Sequence, residues 1–182
     1  MTQPISRRSF LQASAITLAA AVERRNHCTA DDSKRPKVIV GAHPWVYAAT
    51  LPGYDITPKL ESIFADMAYA GMSGIELMHT ALRPAGAVER IGELSEKHQL
   101  PVIGTSFSGA MWDRQQGNAV LEDAELVITR LAQVGGTTLG TSVGDARRKK
   151  TEEELDHQAD ILRRITSIAK SHGIVLNLHN HK

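Results

Sequence analysis

The chain has 182 residues, with 21 Lys or Arg against 20 Asp or Glu and a formal net charge of +1. That balance argues against the broad basic footprint of a nucleic-acid binder. The length suits one domain behind a short leader.

The leader comes first. Ser6-Arg7-Arg8-Ser9-Phe10-Leu11 has the form of a twin-arginine export signal, followed by an uncharged apolar stretch from Ala13 to Val22. That stretch is too short to cross a membrane, which takes about 20 apolar residues. Cys28-Thr29-Ala30 offers small residues at both positions a signal peptidase reads, so cleavage is expected after Ala30. The expected location is the periplasm. Removing Arg7, Arg8, Arg24, Arg25 and Glu23 leaves 17 basic and 19 acidic residues, a net charge of −2. The only cysteine leaves with the leader, which excludes disulfides and cysteine-zinc sites. Residues 31–36 read as a linker and 37–182 as one folded domain.

Strand and helix signals then alternate. Lys37 to His43 is a short β-rich run. Thr57-Pro58 predicts a helix start, with Thr57 as the cap and Pro58 at the first helical position. Leu60, Ile63, Phe64 and Met67 form its apolar stripe, and Gly71 ends it. Gly74 to Met78 is a second strand. Val88, Ile91 and Leu94 mark a second helix, closed by Pro101. Val102 to Ser106 is a third strand. Val120, Ala124, Val127, Leu131 and Val134 mark a third helix. Thr137 to Val143 is a fourth strand. Thr151 and Glu154 frame a capping box at the head of a fourth helix, carried on by Leu155, Ala159, Leu162, Ile165 and Ala169. Gly173 to Leu178 is the fifth strand. Strand starts at 37, 74, 101, 137 and 174 give one βα unit per interval, the pattern of a parallel α/β sheet.

Two architectures fit that pattern: an open doubly wound sheet, or the first five strands and four helices of a (β/α)₈ barrel. No strand leads into a Gly-x-Gly-x-x-Gly or Gly-x-x-x-x-Gly-Lys phosphate loop. Polar strand ends suit a barrel, whose site is spread over many strands.

The candidate residues sit at those ends. On the fifth strand Ile174, Leu176 and Leu178 share one face, suited to packing under helices, while Val175, Asn177, His179 and His181 share the other. His179 and His181 are spaced to meet one metal or one sugar, with Asn180 between them. Glu76 lies in the apolar run Ile75-Glu76-Leu77, where a charge is costly unless paired or solvated. It suits either a substrate hydroxyl or a structural ion pair. His79 reads as a loop residue. His43-Pro44-Trp45 places an imidazole and an aromatic after strand one, suited to a sugar face or to plain packing. The loop Gly104 to Asp113 places Trp112 and Asp113 either over a ligand or in a tight turn. Arg147 to Lys150 reads as a solvated basic loop or an anion-steering one.

These residues, in this order, resemble the sugar phosphate isomerase/epimerase family with its xylose-isomerase-like barrel. The carriers are Gly74-Ile75-Glu76-Leu77, the loop from Ser106 to Asp113, Gly140-Thr141-Ser142-Val143-Gly144 and His179-Asn180-His181. The resemblance implies metal-assisted proton transfer next to a sugar carbonyl, with Mn²⁺, Mg²⁺, Co²⁺ or Zn²⁺ held by ligands at the ends of strands five to eight. Taken with the strand-end reading, the candidate substrate contacts are His43, Glu76, Trp112, His179 and Asn180, with His181 as a metal contact and no catalytic carboxylate identifiable. Members with a His-Asn-His strand commonly carry a Glu three residues on, here the second residue after Lys182. A complete barrel takes about 250 residues. The expectation is therefore a C-terminally incomplete barrel, inactive by itself or closing its open edges in a homodimer. Two other readings stand beside it. One is a non-catalytic carbohydrate-binding or interaction domain on the same barrel. The other is a related abasic-site endonuclease, which export and net charge count against.

Overall fold

A computed structural model describes residues 38–179. The leader, the linker, Asn180 and His181 lie outside the described residues. Five parallel strands run in the order β1-β2-β3-β4-β5: Gly41–Ala42, Gly74–Met78, Val102–Ser108, Thr138–Ser142 and Val175–Leu178. Four long helices alternate with them: α1 Leu60–Tyr69, α2 Ala87–His98, α3 Gly117–Gln133 and α4 Glu152–Ser171. The strand order decides between the two architectures. A doubly wound sheet reverses direction at a switch point, whereas here every strand pairs with its sequence neighbour and progresses one way. The fold is α/β, a five-strand part of a (β/α)₈ barrel.

The helices cover the outer face of the sheet. Ile75, Leu77 and Leu139 on that face are fully buried, against Ile63, Phe64, Ile91, Leu94, Val127, Ile128, Leu131 and Ile165 of the helices. Each such side chain contributes about 1.5–3 kcal/mol on leaving water, which is what holds the helices on that face.

Three sequence expectations shift. The first strand is predicted over 37–43, yet its ladder holds only Gly41 and Ala42, and Val38, Ile39 and Val40 stay exposed. β1 is an edge with a partner on one side only. The first long helix starts at Leu60, not at Pro58. Thr57–Lys59 form a separate 3₁₀ turn, and Asp55 rather than Thr57 supplies the oxygen, accepting from the Thr57 N–H at 3.0 Å and hydroxyl at 2.6 Å. Leu178, expected under the helices, is 58% exposed, because it ends an edge strand. The α4 capping box is as predicted: the Glu154 N–H donates to Thr151 Oγ1 at 3.3 Å, and the Thr151 N–H donates to the Glu154 carboxylate at 2.9 Å.

Candidate functional site

The inner face of the sheet rises in layers fixed by strand register. At the floor, Ile103 fills the space above Gly41 and Gly74. A Cβ on either glycine would stand 2.2 or 2.5 Å from its side chain, so a side chain at either position would push Ile103 aside. Pairing between β2 and β3 shifts between Ile75 and Glu76. Glu76, Gly104, Thr138 and Val175 then align in the next layer. Above it come Ser106, Gly140 and Asn177.

Glu76 reaches toward that upper layer. A Cβ on Gly140 would lie 3.3 Å from its Oε1, so the missing side chain at 140 leaves the carboxylate its room. His43, just past β1, reaches over β2 to β3. Its Nε2 and the Ser106 Oγ are hydrogen-bonded at 3.0 Å. Glu76, Thr138, Gly140, Asn177, Leu178 and His179 line an open cavity of about 400 Å³ on the inner face of the sheet, from mid-strand at Glu76 to just past the end of β5. That size falls in the range of small-molecule sites.

Electrostatics tie the same residues together. Burial holds the His43 imidazole below its ordinary value, Glu76 pulls it back up, and His179 pushes it further down. His43 is therefore a neutral imidazole near pH 7, able to donate from one ring nitrogen and accept at the other. Burial also lowers His79, and Arg83 lowers it further. The His79 ring meets Phe107 edge-on at 5.3 Å, so it belongs to the packing beneath the loops.

A family model described as xylose isomerase-like TIM barrel matches residues 64–182, well over half of the chain. The chain belongs to the xylose isomerase-like TIM barrel family. No curated protein matches it. Among solved structures it is similar to a 3-keto-D-glucoside 4-epimerase from E. coli, at 19% identity and TM-score 0.62, over 78% of this chain and 56% of that one. It is similar to a D-allulose 3-epimerase from Methylomonas sp., at 17% identity and TM-score 0.61, over 79% and 52%. It is also similar to a sugar phosphate isomerase/epimerase from Parabacteroides distasonis, at 15% identity and TM-score 0.59, over 82% and 53%. At these identities the likeness is one of fold. The chain spans about half the length of these structures.

Within this xylose isomerase-like barrel, Glu76 and His179 share the cavity, and His43 feels the charge of both. Trp112 is placed differently. Its ring lies under the Arg148 guanidinium, 5.4 Å away, and its Nε1–H is buried without a partner among the described residues. Asp113 turns back to the start of α3, accepting from the Gln115 N–H at 2.9 Å and the Gln116 amide at 2.7 Å. That is the tight-turn reading of the loop. The basic run is partly spoken for too. Arg148 forks onto Glu154 at 2.6 and 2.8 Å, and Lys150 donates to the Gly144 carbonyl at 2.9 Å and to Gln158 at 2.7 Å.

The sequence did not single out Thr138, nor the pairing of Ser106 with His43, and it marked Gly140 only as part of a family motif. Strand alternation marks the inner face of each strand, but which layers coincide depends on the β2–β3 shift. Among the described residues, no group of three or more His, Cys, Asp or Glu could hold a metal ion, and no helix is long and apolar enough to cross a membrane.

Proposed function

We propose that this chain is the N-terminal part of an exported sugar isomerase or epimerase, whose strand ends bind the hydroxyls and carbonyl of a sugar. The supporting observation is the convergence of Glu76, the His43–Ser106 pair and His179 at one end of the sheet. A carboxylate and a neutral imidazole beside a hydroxyl and an amide are the donors and acceptors that fix a polyhydroxy ligand. The names of the three structural relatives given above, sugar epimerases or isomerases, support the same class. Glu76 accepts from sugar hydroxyls. Ser106 fixes the His43 ring at Nε2, which leaves Nδ1 to hold or pass a proton.

The reading includes a divalent metal, Mn²⁺, Mg²⁺, Co²⁺ or Zn²⁺, with His181 among its ligands, and Asn180 beside the substrate. Such an ion would polarise the sugar carbonyl. The described residues do not supply its ligand set, so no step here runs through it. A second reading is sugar binding without turnover, which the same donors and acceptors would also serve. The twin-arginine leader puts the protein in the periplasm in this proposal. Arg7→Lys with Arg8→Lys should keep it in the cytoplasmic fraction, and unchanged export would remove that part.

The test of the site is calorimetric titration of the 182-residue chain with a ketohexose. Glu76→Gln and His43→Ala should each weaken binding about tenfold or more, as loss of a hydrogen bond to a charged or buried group does. Unchanged affinity in both variants would rule the site out. Incubation with the ketose in D₂O separates the two readings. Deuterium on the carbon beside the carbonyl marks an enzyme, and binding without uptake marks a binding domain.

A further inference from the structure

The segment that follows His43 carries two aromatic rings that the core does not use. Trp45 is 50% exposed and Tyr54 is 51% exposed, although Trp and Tyr are mostly buried when they serve packing. Their ring centroids lie 5.1 Å apart with a 30° tilt, so the two form one continuous aromatic surface. Trp45 opens a one-turn helix, Trp45–Ala48, two residues past His43. The surface therefore stands on the same rim as the cavity, at the C-terminal end of β1.

The chain fixes this surface in place. Tyr47, in the middle of the turn, donates its hydroxyl to Asp66 of α1 at 2.8 Å. Thr80, just past β2, donates to the Tyr54 carbonyl at 3.4 Å. Tyr54 itself has φ +56, next to Gly53 at φ +61. A bulky residue rarely adopts that backbone, and such positions cluster where a ligand is met. A rigid aromatic surface beside a polar cavity suits the apolar face of a ligand.

We infer that Trp45 and Tyr54 form a stacking subsite for a second sugar ring, so the ligand is a glycoside or disaccharide rather than a free monosaccharide. This rests on the sugar site proposed above and extends it outward. The first ring occupies the cavity at Glu76, Asn177 and His179. The next ring lies on the aromatic surface, its C–H face against the negative face of the π-systems. Because the rings are already ordered, little entropy is lost when the second sugar docks.

Calorimetric titration of the full chain with glucose, cellobiose and maltose tests this. One disaccharide should bind more tightly than glucose. Trp45→Ala should weaken that disaccharide about fivefold, the scale of one aromatic stacking contact, and leave glucose unchanged. Trp45→Phe should restore most of the difference, since it keeps an aromatic face. Tyr54→Ala should act in the same direction as Trp45→Ala. If Trp45→Ala weakens glucose and disaccharide equally, or neither, the subsite is wrong while the cavity stands. If the wild-type chain binds neither these three sugars nor the ketohexose, the underlying sugar site falls as well. Circular dichroism of Trp45→Ala, compared with Trp45→Phe, identifies a folding defect.

Discussion

The Thr105 hydroxyl donates to the Leu77 carbonyl at 3.0 Å, on the helix-facing side of β3. One strand over, Thr141 is equally buried, at 0% exposure, but its Oγ1 has no hydrogen-bond partner among the described residues. The two threonines therefore predict opposite responses to the same isosteric change. Thr105→Val loses a satisfied buried hydrogen bond, which costs about 1 kcal/mol. Thr141→Val removes a hydroxyl that was desolvated without recompense and should stabilise by about 1 kcal/mol. Urea midpoints of the two variants check this, and a shift of the same sign in both would contradict it. At this scale the sequence is informative where a residue type conflicts with its neighbours. Glu76 stands out because it is a charge inside Ile75-Glu76-Leu77. Ser106 does not stand out, because its importance comes from His43, 63 residues away across two strands.

The loop that leaves β2 is held by α3 rather than by its own residues. Arg130 Nη1 donates to the carbonyls of Leu82, Arg83 and Pro84 at 2.7, 2.6 and 2.8 Å. Asp123, two turns earlier on the same helix, takes the Arg83 guanidinium at 2.6 and 2.9 Å. The two contacts differ in worth. The Arg83–Asp123 pair is partly solvated, and exposed pairs contribute about 0–1 kcal/mol. Arg130 donates to three backbone carbonyls at and just past the end of a 3₁₀ turn, worth about 1–3 kcal/mol. Arg130→Met should therefore lower stability more than Arg83→Met in denaturant melts, and the reverse order would sink the assignment. Elements were legible from period and punctuation. Gly71, Gly135 and Gly173 all take positive φ after helices, and the Thr151–Glu154 box forms as read. What sequence could not show was contact between elements. The sequence leaves Trp112 between a ligand cover and a tight turn, because its loop is rich in small residues. The Arg148 side chain that lies over it is 36 residues further on and belongs to the next βα unit.

Across the whole molecule, a parallel sheet of five strands has two open edges among the described residues, the outer sides of β1 and β5. Closed barrels remove such edges, and open ones are usually blunted by charge, proline or bulges. Here the edges are apolar. Val38, Ile39 and Val40 precede or flank β1 with 78, 61 and 54% exposure, and Val175 and Leu178 of β5 are 60 and 58% exposed. Unpaired backbone groups beside exposed β-branched side chains are a template for another chain. The 182-residue chain should therefore associate with itself, its sedimentation coefficient rising with protein concentration. A charge on each edge should reverse this. Ile39→Lys with Val175→Lys leaves the helix-facing core untouched, because neither residue belongs to it, and should return a monomer with an unchanged far-ultraviolet spectrum. A wild-type chain that sediments as one monomeric species at every concentration would show that these edges are already protected. If the double variant still associates, the contact lies elsewhere on the barrel. Association that it abolishes would assign the interface to the strands, and place closure of the barrel among the conditions for a complete site.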